Sequence, residues 1–531
     1  MNRRTEIAIF SLLAVYLILL VSHNFAGFPG LHGDEAWVGV YGLSIRSQGL
    51  FSPHEMNTYT GPLYGWLLSK VFTVLPPDVF SLRLPGLLCN LLAALLMAWN
   101  LGRRCGKESA VVWLALLASS AQFALKSRVA WEAYAVQNLL LALLAILAAR
   151  HIEDEDYAPY TVFGFLTVIF LGVLNHFIFL SVPMSLFIAA FAYVLYLKDY
   201  KRIAFLQLTG VGLFMSAAIY LVKPQISQAL WDSQGHWLGW AALSWPLVCT
   251  GLYCLIAAIS TARIRTAFET DGPRLRLARA WLPRLMILGL TLYFIYHHIA
   301  LMEIWSGVAI FQRLASWDPP FWIDLPLYAW AAALLGIYFF FALDRLRPAR
   351  TGRELTPYSR FLLQWPLVYA ATFILLRNTN SIRYYVIPSF LLTMGLAYIL
   401  PRTDILRRRR LRVALLAAAV FLNACFWILS SGPSLRRPIR FYVGWHLENS
   451  SGFLDDSALV EVMTRERICD FVHKDNFIDL PLEFQRSALP YICDPDKKLL
   501  TQPCPDCPRP PYFRWQVLGS PPAPQPQAAA E

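Results

Sequence analysis

The sequence predicts an all-α polytopic membrane protein: about thirteen transmembrane helices, juxtamembrane helices on the external face, and a small carboxyl-terminal α+β domain outside the membrane. Three observations carry that expectation. Of 531 residues, 57% are apolar and only 15% are charged, whereas an average soluble domain is about a quarter charged. Apolar runs of roughly 15 to 23 residues recur along the chain, close to the length that crosses a ~30 Å hydrocarbon core as a helix. The basic residues are also segregated between alternate loops, as in polytopic proteins generally.

The predicted spans are 7–21, 84–101, 110–125, 133–149, 160–174, 177–197, 203–222, 237–259, 285–301, 325–343, 361–376, 384–400 and 413–429. The first run has no small-residue cleavage site and is followed by many others, so it reads as an anchor and not a removed signal. With the amino terminus inside, the inner segments hold 26 of the 46 Lys and Arg, the outer loops 9 and the tail from Ser430 the other 11. Runs such as "RTDILRRRRLR" fall inside. The net charge of +12 is therefore mainly a topology signal. No basic groove interleaved with aromatics argues for nucleic acid.

The stretch "YTGPLYGWLLSKVFTVLPPDVF" interrupts its apolar runs with Lys70. As a span it would invert every later loop and send most of the basic residues outward, so it is predicted to be an interfacial or re-entrant helix whose apolar face lies along the membrane surface. The first external loop then runs from 22 to 83. It collects Asp34, Glu35, His54, Glu55 and Lys70, which gathers polar chemistry on the outer face.

Residues 1–429 are thus expected to form the membrane domain, 430–513 an external domain, and 514–531, a Pro/Ala/Gln run, a disordered end. Four cysteines, Cys469, Cys493, Cys504 and Cys507, lie in the tail. In an oxidising compartment they are disulfide candidates. Four cysteines allow three pairings, and the spacing does not choose among them. The Cys504-x-x-Cys507 spacing also suits a redox motif or half a zinc site.

Asp34 and Glu35 in "HGDEAWVGVYGL" look like the first turn of a helix, where carboxylates cap exposed amides and complement the dipole. That structural role and a catalytic one are compatible, because a helix amino terminus positions a side chain rigidly. The segments "HGDEAW", "NTYTGPLYGWLL", "SRVAWEAY" and "SIRYYVIPSF" together resemble the GT-C glycosyltransferases that use polyprenyl-phosphate sugars. The bacterial lipid A aminoarabinose transferases and the protein O-mannosyltransferases are the nearest likenesses. The resemblance covers the membrane portion to about Leu429. It rests on the order of the segments and on their shared side of the membrane. No large β-trefoil insert separates the spans, which argues against a eukaryotic protein O-mannosyltransferase.

The resemblance implies that Asp34 is the general base of an inverting sugar transfer. The acceptor hydroxyl is a poor nucleophile and needs a carboxylate within reach. The departing lipid phosphate needs only cations, so one catalytic carboxylate is enough, unlike the pair used in glycoside hydrolysis. Arg128, Arg383, Lys126 and Lys70 are the phosphate-binding candidates. Glu35, Tyr59, Glu132 and Tyr384 are the substrate-binding candidates. Each cation has a bland alternative in snorkelling to the interface, and Glu132 one in a salt bridge with Arg128. No cofactor is required, although His54, Glu55, His297, His298 and Glu303 fall on one side and would suit a divalent metal.

The expected partners are the bilayer, a polyprenyl-phosphate-linked sugar, and a lipid, glycan or protein acceptor. The expected location is a bacterial inner membrane with the site facing the periplasm, an endoplasmic reticulum membrane being second. A ligase or polymerase of lipid-linked oligosaccharides is the nearest alternative chemistry. A transporter or flippase is the alternative of another class, and it would place charges at midspan.

Overall fold

The computed structural model describes residues 3–27, 30–49, 60–197, 199–231, 244–270, 272–278, 280–282, 284–285, 288–289, 292, 305, 321–346, 355–373, 385–403, 409–430, 439–440, 451–454, 457–472, 476–489, 491–503 and 513–519. Helices dominate. In chain order they are α1 (Arg3–Ser22), α2 (Gly33–Gln48), α3 (Leu63–Val71), α4 (Val79–Arg104), α5 (Lys107–Ala118), α6 (Ala121–Lys126), α7 (Glu132–Ala135), α8 (Gln137–Glu153), α9 (Pro159–Asn175), α10 (Ser181–Leu197), α11 (Ile203–Trp231) and α12 (Trp245–Glu269). They continue with α13 (Phe321–Leu346), α14 (Pro357–Phe373), α15 (Val386–Ile399), α16 (Arg409–Ser430), α17 (Ser457–Glu466) and α18 (Asn476–Arg486).

Among the described residues, four helices are long and apolar enough to cross a membrane: Val79–Arg104, Phe177–Tyr196, Tyr200–Leu221 and Trp245–Glu269. Five further apolar helices run 10–17 residues. The expected count of about thirteen spans is not confirmed among the described residues. Two of the expected spans are broken. The run 110–125 ends as α5 at Ala118 and restarts as α6 after Ser120, whose hydroxyl accepts the Phe123 N–H at 3.1 Å. The run 133–149 is interrupted at Val136, between α7 and α8.

Backbone groups freed at such breaks must be satisfied inside the protein, because lipid offers no partners. Asn423 of α16 donates to the Ala118 carbonyl at 2.7 Å. Asn90 of α4 donates to the Tyr134 carbonyl at 3.0 Å and accepts from Asn138 at 2.6 Å. Both asparagines are buried. One hydrophobic core runs from Leu17 on α1 to Trp427 on α16 and takes in Phe484 of the tail. Outward faces stay apolar, as at Leu12, Leu88, Leu92 and Leu247, which suits contact with lipid.

α3 has nine residues, so at 1.5 Å per residue it is about 14 Å long and cannot cross the membrane. Its exposed Trp66, and Val74 and Phe80 just beyond it, present an apolar edge. The start of this segment is held tightly. Thr60 bridges His176, and Gly61 N–H donates to the Asn175 carbonyl at 3.0 Å. A Cβ at Gly61 would lie 1.4 Å from the Leu174 carbonyl oxygen, so only glycine fits.

The tail is α+β. Strand β4 (Asp470–Val472) runs parallel to β5 (Lys498–Pro503), which pairs antiparallel with β6 (Phe513–Leu518). Leu459, Met463, Ile468, Leu482 and Leu499 form its own small core. Cys469 and Cys493 form a disulfide, with Cα atoms 5.5 Å apart, a crosslink of the kind that stabilises by about 2–4 kcal/mol. Cys504 and Cys507 lie outside the described residues. A second sheet joins the two ends of the chain: β1 (Leu31–His32) pairs with β3 (Ser451–Leu454), which pairs with β2 (Ile439–Arg440).

Gly61→Ala should therefore lower thermal stability far more than Gly251→Ala, which has open space around its Cβ position in mid-α12. The helical substitution should be neutral or gain up to ~1 kcal/mol. Equal melting temperatures for the two variants in detergent would contradict the close approach at Gly61.

Candidate active site

The site is built where three segments meet: β1 with the first turn of α2, the start of α4, and the loop from α6 to α7. His32 is the N-cap of α2. Its Nδ1 accepts the Asp34 N–H at 2.9 Å, while Glu35 Oε2 accepts the His32 N–H at 3.2 Å. The cap is therefore made by His32 and Glu35, a reciprocal arrangement of the capping-box kind, and not by the Asp34 side chain. The Asp34 side chain is 16% exposed, with one oxygen 3.9 Å from His32 Nδ1.

Glu35 is fully buried. Its Oε1 accepts from Arg83 Nε at 2.9 Å and from the Ala130 N–H at 2.7 Å; its Oε2 accepts from Arg83 Nη2 at 2.9 Å. With the His32 N–H, this makes four donors on one carboxylate. Arg83, equally buried, also donates to the Phe25 carbonyl at 3.1 Å and the Gly30 carbonyl at 2.8 Å. Glu35 was expected to bind substrate; its oxygens are instead committed to this frame. That is a correction, and its reason is the guanidinium of Arg83, 48 residues away.

Arg128 needs the same correction. It is fully buried and donates to the carbonyls of Leu20, Val21 and His23 at 3.1, 3.1 and 2.7 Å. Its guanidinium lies 4.9 Å from the centre of the Trp427 ring. Its Nη2 caps the carboxyl end of α1, where carbonyls and dipole favour a cation. Burial, and secondarily the Arg83 charge, pull its pKa down.

Lys126 differs. It is 4% exposed, donates to Gln122 Oε1 at 2.7 Å and sits 5.5 Å from the Tyr134 ring centre. Among the described residues it makes no ion pair. A buried ammonium with no anion is unfavourable, so the position is suited to receive one. Aromatic contacts link it to the acidic pair: His32 meets Trp131 at 4.8 Å between ring centres, and Trp131 meets Tyr134 at 4.9 Å.

The structure thus joins Glu35 to the backbone of the loop between α6 and α7, and links Lys126 to His32 through the rings of Tyr134 and Trp131. Lys70 is exposed at the end of α3 and is not joined to them by any described contact. Glu132 begins α7, but its side chain is outside the described set, as are Tyr59, Arg383, Tyr384, His54, Glu55, His297, His298 and Glu303. Among the described residues no group of three His, Cys, Asp or Glu is placed to hold a metal. Sequence reasoning gave no role to His32 or Arg83. A signal existed for Arg83, a charge at the mouth of an apolar run, which calls for a partner.

No protein-family model and no curated protein matches the sequence. Solved structures do. The chain resembles the oligosaccharyltransferase of Archaeoglobus fulgidus, solved with zinc and sulfate, at TM-score 0.51 and 17% identity over 86% of this chain. It spans about half, 55%, of that neighbour's length. A looser match is ArnT from Cupriavidus metallidurans in the apo state, at TM-score 0.40 and 10% identity over 95% of this chain and 94% of that one. The likeness is one of fold: this chain shares the fold of the Archaeoglobus fulgidus oligosaccharyltransferase.

Breaking a buried ion pair by removing one partner typically costs about 3–5 kcal/mol, while replacing both costs much less. Glu35→Gln and Arg83→Met should each destabilise by about that amount, and the double variant should recover a large part of it. Additive losses in thermal unfolding would mean that the pair does not hold the three segments as a unit.

Proposed function

We propose that the protein is an inverting glycosyltransferase that moves a sugar from a polyprenyl-phosphate donor to a hydroxyl acceptor on the external face of the membrane. Two observations support this reading: Asp34, at the start of α2, is a partly exposed carboxylate, and Lys126, at the end of α6, is a buried cation that makes no ion pair among the described residues. Asp34 takes the proton of the acceptor hydroxyl. The oxygen attacks the anomeric carbon from the side opposite the phosphate. The bond from that carbon to the phosphate oxygen breaks, and the lipid phosphate leaves with the electron pair. Lys126 offsets the charge that grows on it. Direct displacement inverts the anomeric centre.

Arg383 and Lys70 are proposed as further phosphate contacts, and Tyr59, Glu132 and Tyr384 as contacts to sugar or acceptor. The cell-envelope location rests on the segregation of basic residues and on the Cys469–Cys493 disulfide, which suits an oxidising compartment. A bacterial inner membrane with the site facing the periplasm fits both.

Two substitutions test the roles separately. Asp34→Asn should fold, retain binding of undecaprenyl phosphate and lose transfer by about 10²–10⁴-fold, the usual contribution of a general base. Transfer at the wild-type rate in membranes supplied with a polyprenyl-phosphate sugar would reject the assignment. Lys126→Met should leave the melting temperature of the ligand-free protein unchanged or raise it, since it removes a buried charge. It should also weaken undecaprenyl phosphate binding by about tenfold or more, equivalent to ~1.4 kcal/mol. A loss of stability with binding intact would make Lys126 structural. A flippase would alter donor sidedness without forming a new linkage.

A further inference from the structure

The helix that presents Asp34 is held from outside by the far end of the chain. β1, the two residues directly before α2, has β3 as its strand neighbour. Leu31 lies opposite Leu454 and His32 opposite Phe453. Five residues after Asp34, α2 offers a bare backbone at Gly39, and Phe484 of α18 fills it: a Cβ there would lie 2.4 Å from the ring. The same ring meets Phe72, at the end of α3, with centroids 6.0 Å apart, and is fully buried.

α18 therefore joins two cores. Leu482 belongs to the small core of the tail, whereas Phe484, two residues later, belongs to the core of the membrane domain. The two attachments bracket one short segment, from Leu31 to Gly39. Within it His32 is both the residue paired with β3 and the cap that accepts the Asp34 amide. Short strands and a single aromatic in a glycine notch are weak alone. Acting at both ends of a two-turn segment they fix its rotation and translation, and a misplacement of about 1 Å at a catalytic group can cost about 10² in rate.

We infer that the tail is a positioning element of the active site: β3 and Phe484 set the orientation of the first turns of α2, and with it the placement of Asp34. The inference rests on Asp34 acting as the base. Phe484 is assigned no contact with substrate, so its effect must pass through α2.

The test uses the full-length protein with its disulfide intact, comparing wild type with Phe484→Ala, Phe484→Leu, Gly39→Ala and the Gly39→Ala/Phe484→Leu double variant. Amide hydrogen exchange is followed at residues 31–37 and, as an internal reference, in α8. Phe484→Ala should speed exchange at 31–37 by on the order of tenfold while α8 is unchanged. It should lower kcat with little change in the donor KM, and Phe484→Leu should restore most of both. Gly39→Ala should reproduce the defect, and the smaller leucine should relieve it in the double variant. Unchanged exchange at 31–37 in Phe484→Ala, or equal acceleration in α8, would overturn the inference. The exchange readout needs no turnover, so it stands apart from the assignment of Asp34, whose own failure shows as undiminished transfer by Asp34→Asn.

Discussion

The Glu35–Arg83 salt bridge, fully buried and doubly hydrogen-bonded, is the constraint around which this end of the molecule is organised. Two charges removed from water lose several kcal/mol of solvation each, and mutual attraction recovers this only with good geometry and further hydrogen bonds. Both conditions are met. Glu35 also accepts two backbone N–H groups, from His32 and Ala130, and Arg83 also donates to two carbonyls, Phe25 and Gly30. The pair thus ties the start of the first loop, the start of α2, the start of α4 and the loop between α6 and α7 to one point. An apolar replacement could match its stability but not this registration. Asp34, next in sequence to Glu35, takes its position from the knot without being part of it.

The cations around the site divide by what they touch. Arg83 is neutralised by Glu35. Arg128 closes the carboxyl end of α1 and stacks over Trp427, whose indole N–H reaches the same Leu20 carbonyl at 3.1 Å. Lys126 has an amide oxygen and a ring. Lys126 makes no ion pair among the described residues. It ends α6, the short helix that follows the break at Ser119–Ser120.

The dominance of apolar helices was legible because apolar length is a direct consequence of bilayer thickness, and α3, with nine residues, is too short to span, as Lys70 and the charge balance led one to expect. The breaks at Ser119–Ser120 and at Val136 were not. No Pro or Gly marks them, and they are stabilised from elsewhere, by Asn423 and Asn90. Likewise "HGDEAW" announced a helix start with two carboxylates but not which of them would be buried. That choice is made by Arg83 and the Ala130 amide, 48 and 95 residues away. The pairing of β1 with β3 was illegible for a simpler reason: a two-residue strand has no period to detect. Gly61 could be read as part of a Gly-Pro turn, while the carbonyl that forbids any other residue belongs to Leu174.

The central claim is that a lipid-borne phosphate sits between Asp34 and Lys126, with the Glu35–Arg83 pair behind them. A cryo-electron microscopy structure of the full-length protein with undecaprenyl phosphate tests this most directly. The account predicts the phosphate in contact with Lys126 Nζ, the Asp34 carboxylate facing the same space, and Arg128 still on the α1 carbonyls. Density for the phosphate at another place on the membrane domain, with Lys126 left against Gln122 alone, would contradict it.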